Sequence, residues 1–370
     1  SFKIIFIISL VLTVLLSLRY IQKEKAEYGE YYSLLLFATL GMMLMASAKD
    51  LIIVYLGLEL MALSTYILAG IKKHDLKSNE AALKYFLLGS FSSALLLYGI
   101  ALTYGLTTTT DLAAIAAQVG RGGASPVLLL AMILIASSFL FKIAAAPFHM
   151  WAPDVYEGAP TSVTAFMSVG PKAAGFAVIG RVFLTAFPSL QADWTAILIG
   201  VAILSMAAGN ILALAQTNIK RMLAYSSIAH AGYMLLGIIA GTQKGLSAVL
   251  TYLLIYAFMN MGAFAVVILL DKGEEIKDYE GLARSHPLAA AAMLVFMFSL
   301  TGIPPTAGFI GKFTIFLAAV QAGHAWVVVI AVIFSAISAY YYLRVVRNMY
   351  MRERAEATAL RPSWSLGLAI

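Results

Sequence analysis

The sequence predicts an all-α polytopic membrane protein. Of 370 residues, 62% are hydrophobic and only 12% are charged, and the mean hydropathy is +0.90. A soluble chain carries roughly a quarter charged residues, about twice this share. Apolar stretches of about 20 residues, enough to cross ~30 Å of hydrocarbon, recur from end to end with short polar joints between them.

Read in order, the stretches are Phe2 to Leu18, Tyr31 to Ala48, Leu51 to Gly70, Ala82 to Leu106, Pro126 to Ala146, Thr161 to Ala186, Trp194 to Thr217, Leu223 to Gly241, Leu246 to Leu270, Pro287 to Gln321 and Ala325 to Val346. That makes eleven spans in a single membrane domain over residues 1–370. A twelfth begins near Trp364 and is cut at Ile370, and Ser1 already borders an apolar run, so the sequence reads as a fragment of a longer chain. The first stretch has no small-residue cleavage pattern and more spans follow, which argues against a signal peptide.

The basic residues alternate with the spans. One set of joints holds sixteen: Arg19, Lys23, Lys25, Lys72, Lys73, Lys77, Lys220, Arg221, Lys272, Lys277, Arg284, Arg344, Arg347, Arg352, Arg354 and Arg361. The opposite set holds Lys49, Arg121 and Lys244. Cytoplasmic joints carry the excess, so the first span runs towards the cytoplasm, and a missed or invented span would scramble the alternation.

Two spans are interrupted by proline. The fifth runs into Pro147 within FKIAAAPFHMWAPDVYEGAP, and the tenth is cut by GIPPTAGFIG at Pro304 and Pro305. Proline removes a ladder donor and clashes with the preceding turn, so both are expected to be broken helices. Taking 31–186 and 194–350 as two five-helix units places each break in the fourth helix of its unit. Five crossings per unit invert the second copy, the arrangement of ion-coupled transport proteins, which build their sites at discontinuous helices.

Composition also excludes classes of function. With no cysteine there are no disulfides, thiolate metal sites or iron-sulfur ligands, so any redox reaction served by the chain happens on another polypeptide. The net charge of +7 has no basic, aromatic-interleaved soluble face behind it, which excludes nucleic acid. No Walker A sequence, dinucleotide fingerprint or HExxH occurs. GRGG at Gly120 to Gly123 reads as a flexible turn, and Asp111 to Val119 as a short amphipathic interfacial helix.

An ionisable residue within a span costs roughly 2.5 to 3.5 kcal/mol on insertion scales and is a functional candidate by default. Glu59 is central in its span, and its structural alternative is a packing carboxyl satisfied by a hydroxyl such as Ser64. Lys142 precedes the Pro147 break and Lys172 lies mid-span beside Pro171, both too deep to snorkel easily. Lys312 follows the second break, where freed carbonyls could hold its ammonium statically. Lys84, near a span start, has snorkelling as its alternative, and Arg181 reads as an interface anchor. His230 is mid-span and is either a hydrogen-bonded packing residue or a proton relay. His149, Asp154 and Glu157 match no metal-ligand spacing, and helix capping or a cavity mouth accounts for them.

A carboxylate and several lysines in hydrocarbon suit proton transfer. Burial disfavours the charged form of a side chain and a nearby opposite charge restores it. Separating Glu59 from Lys142 would release a proton and rejoining them would reload it. Each proton moved against 100 mV needs ~2.3 kcal/mol, which conformational work from outside the chain must supply.

Four stretches carry a resemblance: SNEAALKYFLLGSFSSALLLYGIALTYG from Ser78, FKIAAAPFHMWAPDVYEGAPTSVTAF from Phe141, NIKRMLAYSSIAHAGYMLLG from Asn218 and GIPPTAGFIGKF from Gly302. They closely resemble the N-type antiporter-like membrane subunits of proton-translocating NADH:quinone oxidoreductase, respiratory complex I. The resemblance implies a fourteen-helix subunit, of which the first two helices and most of the last are missing here. It implies that Glu59 tunes Lys142, that Lys84 and Lys172 belong to a hydrophilic axis, and that Lys312 is the terminal lysine on the outlet side. It implies no cofactor on this chain, with FMN, iron-sulfur clusters and quinone on partner subunits. The implied partners are other antiporter-like and small helical membrane subunits and the lipid of a bacterial inner membrane. The L and M types and the multisubunit sodium/proton antiporters are also similar, but usually read closer to WLPDA with TPVSAL where this chain has WAPDVYEGAPTSVTAF. The M type usually has glutamate at the position of Lys312. Ferredoxin-driven photosynthetic relatives share the N-type motifs and remain an alternative.

Overall fold

A computed structural model of the chain describes residues 2–24, 26, 28–270, 273–353, 359–360 and 363–370. Ser1 and four of the basic residues counted above, Lys25, Lys272, Arg354 and Arg361, lie outside the described residues. The α-helices are α1 (Phe2–Lys23), α2 (Glu30–Ser47), α3 (Leu51–Ala69), α4 (Leu76–Thr107), α5 (Leu112–Gly122), α6 (Pro126–Lys142), α7 (Trp151–Gly158) and α8 (Thr161–Thr185), followed by α9 (Gln191–Leu214), α10 (Ile219–Ile239), α11 (Gln243–Leu269), α12 (Leu282–Ser285), α13 (Pro287–Thr301), α14 (Ala307–Gln321), α15 (Ala325–Met351) and α16 (Trp364–Ala369).

Among the described residues, nine of these helices are long and apolar enough to cross a membrane. The two remaining expected spans are the broken ones: α6 stops at Lys142 and resumes as α7, and α13 stops at Thr301 and resumes as α14. Both breaks therefore fall where the prolines place them.

Several helices begin earlier than hydropathy predicts, because a cap rather than an apolar residue sets a helix start. Asp75 accepts from the backbone N–H groups of Lys77 and Ser78, so α4 opens at Leu76 rather than Ala82. Asn218 likewise accepts from Lys220 and Arg221 and opens α10. Lys77, Lys220 and Arg221, assigned above to joints, thus stand in first helical turns. Asp111 caps α5, which buries Leu112, Ile115 and Val119 along one stripe, the amphipathic pattern its spacing predicts.

The helices pack through small residues, since lipid gives no hydrophobic drive between spans and close backbone approach supplies the attraction. A Cβ on Gly41 of α2 would lie 2.6 Å from the Gly57 carbonyl oxygen of α3, and one on Gly209 of α9 would lie 2.5 Å from the Ala229 nitrogen of α10. The same neighbours recur in the two halves. α2 packs on α3 and α8, as α9 packs on α10 and α15. α4 packs on both parts of the first broken helix, as α11 packs on both parts of the second. An isolated bridge joins Asp50 to Asp111 in the first half and another joins Asn218 to Glu275 in the second.

The halves meet where α8 packs on α11 and where α7 packs on α10. α8 is buried along its whole apolar window and α10 along 94% of its own, whereas α15 buries only 33%. Polar side chains tie this centre together: Tyr31 shares hydroxyl hydrogen bonds with Ser17 and Ser162, and the Asn260 amide donates to Ser168 over 2.7 Å.

Candidate functional site

The first break ends α6 at Lys142, whose side chain is 2% exposed. Backbone groups freed in hydrocarbon must be satisfied from within the protein. The Trp151 indole donates to the Phe141 carbonyl over 3.1 Å, and the Ala146 N–H donates to the Ser205 hydroxyl over 2.8 Å. The Lys142 ammonium donates to the Tyr66 hydroxyl over 3.0 Å. It also lies 5.2 Å from the centre of the Tyr66 ring, with Tyr85 and Phe141 as further aromatic neighbours.

Glu59 stands two turns before Tyr66 on α3, so the two residues share a face. Its carboxylate accepts from the Ser93 hydroxyl of α4. The Ser64 hydroxyl, named above only as the alternative partner, donates to the Leu60 carbonyl of its own helix, as mid-helix serines commonly do. No ion pair joins Glu59 to Lys142 in this structure, and each charge has a hydroxyl as its hydrogen-bond partner.

Gly89 on α4 makes room for the Tyr66 hydroxyl. A Cβ at position 89 would stand 1.9 Å from it. Gly89→Ala should therefore push Tyr66 away from Lys142 and lower stability by roughly 1 to 3 kcal/mol, the usual range for overpacking. Adding Tyr66→Phe removes the clashing oxygen and should recover part of that loss. Thermal unfolding of the two single variants and the double variant tests this, and simple additivity would contradict the contact.

Lys172 of α8, 1% exposed, donates to the Ser227 carbonyl over 2.7 Å and to its hydroxyl over 2.5 Å. α8 lies close to the first break, because a Cβ on Gly175 would meet the Ile143 side chain at 2.5 Å. Lys312 of α14 is 4% exposed. It donates to the Thr301 carbonyl, freed by the second break, over 2.8 Å and to Ser335 over 2.9 Å. The Tyr233 ring faces its ammonium at 4.9 Å. His230 of α10, also fully enclosed, has the Tyr252 hydroxyl 2.6 Å from Nδ1 and the Tyr342 hydroxyl 3.0 Å from Nε2.

Lys142, Lys172 and Lys312 are thus each buried against neutral oxygen partners, with no carboxylate bonded to any of them. Hydroxyls and carbonyls solvate an ammonium yet leave it able to give up its proton, which a bound carboxylate would oppose.

Lys84 stands apart from this buried group. Its side chain is 41% exposed and pairs with Glu80 and Asp154, each over 2.7 Å. The early start of α4 places it in the third turn, within reach of the membrane boundary. Asp154 and Glu157 of α7 both accept from the Arg221 guanidinium, and Glu157 also accepts from Lys77 over 2.9 Å. Lys77, Glu80, Asp154, Glu157 and Arg221 line a cavity of about 170 Å³ between α4, α7 and α10. Lys220 caps the end of α7 by donating to the Glu157 and Ala159 carbonyls. Among the described residues no group of three or more histidine or carboxylate side chains is arranged to hold a metal. Arg181 is half-buried in the last turns of α8.

Sequence reasoning missed Ser93, Tyr66, Ser227, Ser335 and the two tyrosines on His230. Only Tyr66 carried a usable signal, its seven-residue spacing from Glu59 on one helix. The others arrive from separate helices.

A family model described as NADH:quinone oxidoreductase/Mrp antiporter, transmembrane, matches residues 48–338. Subunit N of NADH-quinone oxidoreductase from Trichlorobacter lovleyi is 58% identical over 361 residues, spanning 96% of this chain and 74% of that one. Subunit N 2 from Rhizobium meliloti is 53% identical, spanning 100% of this chain and 78% of that one. Among solved structures, a chain of respiratory complex I from Thermus thermophilus with bound aureothin aligns with a TM-score of 0.81 and 41% identity, over 98% of this chain and 81% of that one. A chain of the Mrp complex from Dietzia aligns with a TM-score of 0.85 over 96% of this chain and 68% of that one, but at 24% identity it shares the fold alone. The chain belongs to the NADH:quinone oxidoreductase/Mrp antiporter family of transmembrane subunits.

Proposed function

We propose that this chain is the N-type antiporter-like subunit of a proton-translocating NADH:quinone oxidoreductase, and that it moves protons across a bacterial inner membrane through buried lysines. Redox chemistry takes place on other subunits, which carry FMN, iron-sulfur clusters and the quinone site. Other antiporter-like subunits and small helical subunits flank it. The observation that carries the reading is the set Lys142, Lys172 and Lys312, each buried deep among helices and hydrogen-bonded to neutral oxygens. A lysine kept only for packing would cost several kcal/mol with no return.

In this reading residues 31–186 and 194–350 are inverted copies, each placing its broken helix against a buried lysine. Glu59 and Lys142 are the switch. Held apart, with Ser93 on one and Tyr66 on the other, the lysine lacks a counter-ion and can pass its proton on. Brought together, the pair favours a reloaded lysine. Lys172, His230 and Lys312 carry the proton from the first copy into and through the second, and Lys84, paired with Asp154, serves proton entry. Conformational work from the redox subunits drives the switch, since each proton moved against ~100 mV takes ~2.3 kcal/mol.

Native purification of the complex through the full-length subunit tests this assignment. Flavin and iron-sulfur partners should come with it, and reconstituted vesicles should acidify only when NADH and quinone are supplied. Sodium-dependent cation exchange by the subunit alone, without redox partners, would overturn the reading in favour of a cation/proton antiporter.

A further inference from the structure

His230 is held by an unbroken run of exchangeable protons. Ser226 of α10 shares a hydrogen bond with the Tyr342 hydroxyl of α15. That hydroxyl lies 3.0 Å from His230 Nε2, and Nδ1 lies 2.6 Å from the Tyr252 hydroxyl of α11. All four side chains are at most 1% exposed. At one end Ser226 is followed along α10 by Ser227, which holds the Lys172 ammonium. At the other end the Tyr252 ring rests on Gly311, next to Lys312, where a Cβ would stand 2.2 Å from the ring.

A buried tyrosine needs one partner to avoid an unmet hydroxyl. Here Tyr342 has two, and one imidazole serves two tyrosines. Each member both donates and accepts: a hydroxyl has one proton and free lone pairs, and a neutral imidazole has one N–H and one bare nitrogen. The whole run can therefore point either way, with His230 in one tautomer for each direction.

We propose that Tyr342 and Tyr252 are proton-relay residues, and that the run Ser226–Tyr342–His230–Tyr252 passes a proton between the Lys172 and Lys312 ends by reversing its hydrogen bonds. The inference rests on the proposed proton-carrying role. A proton taken up at Ser226 displaces the hydroxyl proton towards Tyr342, whose own proton moves to Nε2. The Nδ1 proton leaves to Tyr252, which releases its own proton towards Lys312. Each O–H or N–H bond broken is replaced by one formed at the same residue, one proton crosses, and the imidazole ends in the other tautomer. Reorientation of the hydroxyls and return of the ring to its first tautomer reset the run.

The test uses the assembled complex in vesicles. Tyr252→Phe and Tyr342→Phe each keep the ring and remove the hydroxyl. Each should lower proton pumping per NADH oxidised roughly tenfold or more, and the double variant should pump no worse than the weaker single variant, as for links in series. Infrared difference spectra of wild-type complex with ring-labelled histidine, assigned with His230→Gln, should show a change of His230 tautomer during turnover. That measurement does not depend on whether the variants assemble. Pumping within about twofold of wild type in both single variants, or a His230 tautomer that never changes, overturns the relay. Lys142→Ala run in parallel separates the two levels: its failure to reduce pumping would sink the function itself, whereas loss there with normal pumping in the tyrosine variants sinks only this run.

Discussion

Lys142→Ala is expected to abolish proton pumping, by roughly 10²-fold or more, the scale of a lost proton-transfer group, in a complex that still assembles. The physical reason is the position of the ammonium: it is 2% exposed and its hydrogen bond goes to the neutral Tyr66 hydroxyl. Alanine removes the proton carrier and leaves Glu59 with Ser93 but nothing to reload. Lys142→Arg is the sharper test. Arginine keeps a positive charge beside the aromatic rings but does not release its proton in a protein. Pumping should fail with arginine as well. Pumping restored by arginine would mean that the site needs a static charge, and the proposed switch would be wrong. Both variants are read as acidification of vesicles per NADH oxidised, with assembly checked by native gel.

Gly209→Leu should be the most damaging apolar substitution on α9. A Cβ at Gly209 stands 2.5 Å from the Ala229 nitrogen and 2.7 Å from the Tyr225 carbonyl oxygen, both backbone atoms of α10 that no rotamer change can move. Leucine must force the helices apart, and overpacking of this kind costs about 1 to 3 kcal/mol and sometimes more. The same helix supplies the control. Gly200 has no atom within 4 Å of its Cβ position, so Gly200→Leu should leave stability unchanged. Thermal unfolding in detergent and the yield of assembled complex compare the two. Equal effects at both sites would show that helix propensity, not the α9–α10 contact, sets the loss. Gly41 occupies the corresponding place in the first half, and Gly41→Leu should behave like Gly209→Leu.

These contacts separate what one dimension of the chain encodes from what it does not. The spans, both helix breaks and the burial of Lys142, Lys172, His230 and Lys312 were legible residue by residue. Transfer from water to hydrocarbon is a sum over neighbouring residues, and proline acts on its own turn, so a linear reading captures both. Helix starts were less legible: Asp75 and Asn218 extend α4 and α10 into charged turns that hydropathy assigns to joints.

Partners depend on the fold. Glu59 looks towards Ser93 rather than the nearby Ser64, and Lys84 pairs with Asp154 rather than joining the buried lysines. His230 is bracketed by Tyr252 and by Tyr342, which lies 112 residues away in the chain. Which side chain meets a buried group depends on which helix faces come together, and close approaches at Gly41, Gly89, Gly209 and Gly311 decide that. By itself the sequence determined that Lys142, Lys172, His230 and Lys312 are buried, because burial follows from local composition. Only the tertiary structure decided what solvates them, because a hydrogen bond needs two atoms within about 3 Å and their separation along the chain says nothing of that distance.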